Sequence, residues 1–171
     1  MADFVFDKFK EFLGGAVAVS GTPGPQTLEW ADVLSNTGTF HCVLIVGDMF
    51  AVGSIVQAVD EAAALASASV SEYVGTGYVR KAVTGKTVAT TTPAVVFNGN
   101  PSSAWSSLGA ASANCDGMMV VFVPLPASSL ATDNVPLFYF DFKNATPTNL
   151  AFNGNGGNVT ITFSNGMVTL T

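Results

Sequence analysis

Few side chains in this 171-residue sequence carry the chemistry for catalysis or metal binding. The single histidine, His41, stands directly before Cys42, and together these are the ingredients of a Cys-His nucleophile pair. Both fall inside a β-branched, apolar run over residues 39–46 that reads as a buried strand ended by Gly47-Asp48. Successive strand residues point to opposite faces, so this pair cannot act as a dyad. A metal site would need a second histidine or a Cys-x-x-Cys pair, and neither is present. His41 is therefore read as a strand histidine with one hydrogen-bond partner. Cys42 and Cys115 are read as buried free thiols, with a bridge between them as the alternative. The carboxylates are scattered. Asp60-Glu61 reads as a solvated helix surface, Asp133 and Asp141 stand singly, and no spacing argues for the facing acids of a glycosidase. Gly85-Lys86-Thr87 resembles the end of a phosphate loop, but Arg80 occupies the place of its upstream glycine. Asn153-Gly154-Asn155-Gly156-Gly157 offers oxygen ligands without a carboxylate, which points to a loop and not to calcium. Trp30, Trp105 and the run Phe138, Tyr139, Phe140, Phe142 could stack on sugars, yet alternation places the three phenylalanines on one face, as a core requires. These residues imply no enzyme, no metal and no cofactor.

The elements that must position these residues follow from periodicity. Residues 3–13 read as a short helix, with Phe6, Phe9 and Leu13 on one side, Asp7, Lys8, Lys10 and Glu11 on the other, and Gly14-Gly15 as its end. Residues 20–25, Ser-Gly-Thr-Pro-Gly-Pro, read as a linker. This divides the chain into a helical arm and linker over 1–20 and one β domain over 21–171. A second helix is expected over 54–66, where Ser54 and Gln57 match a capping box. Strands are expected over 78–83, 86–91, 94–97, 118–123 and 137–142, the last two apolar on both faces. Residues 159–164 and 167–171 flank Asn165-Gly166, the signature of a tight hairpin. That turn would pair Phe163 with Val168, Thr162 with Thr169 and Ile161 with Leu170. Ile161 and Phe163 would face inward, and Thr160 and Thr162 outward.

Composition sets the class. Only 11% of residues are charged and 49% are hydrophobic, which excludes a disordered chain. Six Lys and Arg against twelve Asp and Glu give a net charge of -6, a poor basis for binding nucleic acid. Asp3, Asp7 and Glu11 interrupt any secretory core at the start, and Asp48 breaks the longest apolar stretch, so neither a leader nor a membrane span is expected. Three of the six cations, Arg80, Lys81 and Lys86, lie close together and read as a solvated strand face or a contact for an acidic partner. The fold expected is mainly β, an antiparallel β-sandwich (a jelly roll being one form of it), with the N-terminal helix and the second helix attached.

The segment Glu72-Tyr73-Val74-Gly75-Thr76-Gly77-Tyr78-Val79-Arg80-Lys81, followed by Gly85-Lys86-Thr87-Val88, resembles a family of small tailed-bacteriophage virion proteins. The start Met1-Ala2-Asp3-Phe4-Val5-Phe6, the stretch Trp105-Ser106-Ser107-Leu108 and the end Val168-Thr169-Leu170-Thr171 match the same family in their places. One residue is missing before Gly75 relative to the family pattern. The resemblance implies a structural role in the virion, as a capsid decoration (cement) protein, and transfers no catalytic residue. It implies the major capsid protein or other virion subunits as partners, a homo-oligomeric state, and neither nucleic acid nor membrane. Phe6, Phe9, Leu13, Arg80 and Lys81 are the subunit contacts expected. A tail or fibre component binding host carbohydrate is the alternative.

Overall fold

The computed structural model describes residues 3–7, 17–19, 26–28, 39–49, 60–67, 70–91, 94–123, 134–143, 149–163 and 167–170. In chain order its elements are β1 (Asp3–Val5), β2 (Val17–Val19), β3 (Gln26–Leu28), β4 (Thr39–Val46), α1 (Glu61–Ser67), β5 (Ser71–Glu72), β6 (Lys81–Thr91), β7 (Ala94–Pro101), β8 (Cys115–Val123), β9 (Val135–Asp141) and β10 (Val168–Leu170). The protein is mainly β and antiparallel, as expected. One eight-stranded sheet runs β1-β9-β8-β4-β6-β7-β10, with β5 also paired to β4, and β2 and β3 form a separate ribbon.

The sheet curls on itself. Phe97 of β7 lies 6.2 Å from Phe138 of β9, although three strands separate β7 from β9 in the sheet order. That closure encloses a first core of Phe40, Cys42, Leu44, Met118, Val120, Phe122 and Phe140, roofed by Trp105 and Leu108. The opposite face of β4, β8 and β9 carries Val43, Ile45, Met119, Val121 and Tyr139, covered by Phe6, Met49 and Ala64. Strands β8 and β9 are thus buried on both sides, which is why their sequences do not alternate. One irregularity adds to this. Pairing slips between Val120 and Val121, opposite Phe138 and Pro136, so Leu137 is an extra residue, and Leu137 and Phe138 both enter the first core.

Strand β4 has the bounds expected, and Thr84-Gly85 is not a strand break but a bulge within β6, where Gly85 takes φ +64°. Two expectations are corrected. Residues 3–5 are not helical: they pair with β9 through Asp3–Phe140, Phe4–Tyr139 and Val5–Phe138. The free edge of β9 supplies backbone partners that an isolated short helix lacks. Asp7 is helical, and residues 8–13, including Phe9 and Leu13, lie outside the described residues. Of the second helix expected over 54–66, residues 61–66 are helical, within α1 (Glu61–Ser67). Asp60 caps it, its Oδ1 accepting the Ala63 N–H at 2.7 Å, while Ser54 and Gln57 lie outside the described residues. The terminal hairpin ladder is not formed among the described residues either: β10 pairs with β7, Val168 opposite Phe97. The facing expected of residues 160–163 is nevertheless present: Ile161 and Phe163 pack against the first core and Thr160 and Thr162 are exposed.

Candidate functional site

The segment that carries the phage resemblance builds a corner of the fold. Tyr78 N–H donates to the Gly75 carbonyl at 3.0 Å, and Gly77 takes φ +76°, so Gly75-Thr76-Gly77-Tyr78 forms a type II turn. A Cβ on Gly75 would stand 2.1 Å from the Gly109 carbonyl oxygen, so only glycine lets these backbones approach. Tyr73, fully buried, donates its hydroxyl to that carbonyl at 2.7 Å and accepts the Gly154 N–H at 2.9 Å. Asn153 joins them: its Oδ1 accepts the Ala111 N–H and lies 3.0 Å from the Tyr73 hydroxyl, whose one proton it shares with the Gly109 carbonyl. The Asn-Gly loop is therefore a brace, with its asparagine oxygens engaged in internal bonds.

Beside the turn, Arg80 joins two carboxylates. Its Nε and Nη2 donate to Glu72 at 2.8 and 2.6 Å, and its Nη1 and Nη2 donate to Glu61 at 3.1 and 2.5 Å. Glu61 is fully buried at the start of α1 and also accepts from Asn134 Nδ2 at 2.6 Å. Tyr78 donates its hydroxyl to Glu72 at 2.7 Å. Its hydrogen bonds to Glu72 lead in holding the Arg80 guanidinium above its already high range, while burial and then the Glu72 charge push the Tyr78 phenol up. Both expectations for this region are corrected: Glu61 is not solvated, and Arg80 is a tie between helix and sheet, with little left to offer a partner. Lys81 has a weaker engagement, donating to Ser103 Oγ at 3.2 Å on the surface.

The remaining candidates also resolve into structure. Phe6, expected at a subunit contact, is fully buried in this chain's own second core. Trp105 is fully buried and its Nε1 donates to the Val79 carbonyl at 2.8 Å, so it presents no face to a sugar. Trp30 and Asp133 lie outside the described residues. Lys86 lies over the Phe40 ring at 4.9 Å. Cys42 and Cys115 are free and buried, and burial pushes each thiol up to about 12, far from a reactive thiolate. Burial of Asp116 raises its carboxyl, with Lys143 opposing and the Asp48 and Asp141 charges adding.

Burial first, and the Arg80 charge second, hold the His41 imidazole below its ordinary range. A base depressed by folding binds more protons in the unfolded chain. His41 thus contributes full stability above about pH 6.5 and loses it as pH falls toward its folded value. The melting temperature should decline from pH 7 toward pH 5.5 (both about), and His41→Gln should flatten the decline. A wild-type curve that is level across this window would show that His41 is not desolvated. Asp116 acts with the opposite sign, gaining stability as pH falls.

One surface stands apart from these internal ties. Val159 exchanges two backbone hydrogen bonds of 2.9 Å with Trp105, and the Phe163 N–H donates to Asn100 Oδ1 at 2.7 Å. Between them the backbone of Thr160, Ile161 and Thr162 makes no hydrogen bond to any described residue. Side-chain burial alternates along 159–163, as in extended backbone. The segment borders a hollow of about 320 Å³ walled by Phe142, Leu150, Phe152, Val159, Ile161 and Phe163, with Leu150 half exposed. Residues 159–163 themselves carry no charge and no proline, two of the usual devices against strand pairing. The Thr-Ile-Thr-Phe alternation was visible in sequence, but its freedom was not, because β10 looked like its partner.

No family profile, curated protein or solved structure matches this chain.

Proposed function

We propose that this chain is a structural protein of a tailed-bacteriophage virion, a capsid decoration protein that stabilises the shell through contacts between subunits, the major capsid protein among them. The observation that carries the proposal is the unprotected extended edge at residues 160–162 beside an apolar hollow. Backbone donors and acceptors that no described residue pairs there would find their partners when an assembly subunit docks. The low charge and the resemblance of the residue 72–81 segment support the same reading. Val74 and Val79, 78% and 58% exposed around the type II turn, offer a second apolar contact toward the shell. Apolar area covered there contributes about 25 cal/mol per Å² before the costs of association are deducted.

The alternative of a carbohydrate-binding tail component draws no support from Trp105, which is buried. The test is co-sedimentation of the full chain with undecorated shells, together with the temperature at which those shells break. Decoration should retain the chain on shells and raise that temperature. A chain that stays in the supernatant and leaves shell stability unchanged would refute the assignment.

A further inference from the structure

We infer that residues 160–162 are a homotypic pairing strand, which joins two copies of this chain edge to edge about a twofold axis at Ile161. The inference rests on the assembly reading above and names the partner of its open edge. In extended backbone the N–H and C=O of alternate residues point to the same side. Val159 directs both groups inward to Trp105 and Phe163 directs its N–H inward to Asn100, so Thr160 and Thr162 turn theirs to the outer edge. Thr-Ile-Thr reads the same in both directions. Laid antiparallel on a copy of itself, Thr160 meets the second copy's Thr162 as a hydrogen-bonded pair, and Thr162 meets Thr160 likewise. Ile161 faces Ile161 between them at the closer, non-hydrogen-bonded spacing. Every outward donor and acceptor of the edge is then satisfied.

Side chains favour the same occupant. Thr-Thr and Ile-Ile cross-strand pairs are favourable, and the contact is self-complementary as a twofold interface must be. Each copy carries a net charge of -6, yet no charged residue lies within 159–163, so pairing sets no like charges opposite one another within the strand. Because paired residues lie on one face, the apolar hollows of the two copies come to adjoin beside the Ile161 pair.

The register supplies its own test, by sedimentation equilibrium of the full chain at about 100 µM, a concentration suited to a small interface. The wild type should dimerise reversibly. Thr160→Lys with Thr162→Lys places lysine against lysine in both pairs and should weaken the dimer at least about tenfold. Thr160→Lys with Thr162→Glu places lysine against glutamate in both pairs and should restore it. Both side chains are exposed, and unchanged thermal melts would confirm that each variant folds. A monomeric wild type, or two double variants that behave alike, would overturn the twofold strand pair, the latter in favour of a foreign strand or another face. Shell co-sedimentation of the same preparations separates the two readings. A monomer that still binds shells refutes this inference alone, and a dimer that ignores shells refutes the decoration role alone.

Discussion

Arg80→Ala should destabilise the protein by about 3–5 kcal/mol, the range for breaking a buried ion pair from one side. For a chain of this length that corresponds to a fall in melting temperature of about 6–20 °C. The size of the effect comes from Glu61, which is fully buried and whose charge the guanidinium answers with two hydrogen bonds. Without Arg80, Asn134 Nδ2 is the one side-chain donor left to it among the described residues. Arg80→Lys should recover only part of the loss, since an ammonium cannot fork between Glu61 and Glu72. Adding Glu61→Gln to Arg80→Ala should restore part of the stability, because the orphaned charge is then gone. The double-mutant cycle should give a coupling of about 1–3 kcal/mol. Denaturant unfolding of the four proteins provides the check, and an Arg80→Ala loss under about 1 kcal/mol would mean that the tie is not formed in solution.

Phe6→Ala is the second large effect, and it decides what the start of the chain is for. Phe6 is fully buried against Val43, Ile45, Met119 and Tyr139, and its N–H donates to the Leu137 carbonyl at 3.0 Å. Truncation leaves a cavity on the second face of the sheet and should cost about 3–5 kcal/mol, with no partner present. If residues 1–20 were a detachable clamp, the same variant would melt like the wild type and lose only its binding to other subunits. Melting of the isolated protein separates the two outcomes. Starting the chain at Gly21 should likewise destabilise it, because strand β1 leaves with the arm and exposes the edge of β9.

Much of the architecture was written locally. Residues 39–46 are β4 because a β-branched, apolar run cannot be buried more cheaply than in a central strand. The placement of Phe138, Phe140 and Phe142 in one core and Tyr139 in the other required only the period of two. The inward turn of Ile161 and Phe163 was equally legible, even though the hairpin assumed for them is not formed among the described residues. Within the candidate site, the Gly75-Thr76-Gly77-Tyr78 turn was not legible: that Gly77 needs a positive φ and Gly75 a close backbone approach shows only in the fold.

What the sequence by itself determined was the class of the protein and the face that each strand residue presents, because burial and backbone sterics act over a few residues. Pairing was different. Periodicity offered strand β10 two edges, the one at residues 159–163 and that of β7, and it pairs with β7, a choice no local pattern encodes. Arg80 and Glu61 are 19 residues apart, and Asn134 is 73 from Glu61, with no local pattern linking them. Their meeting depends on where α1 docks, as does the burial that turns an apparently solvated glutamate into the anchor of the corner. The open edge at residues 160–162 is likewise a property of the tertiary structure. An edge is free only once every other strand has chosen its partner, and that choice minimises the free energy of the whole sheet.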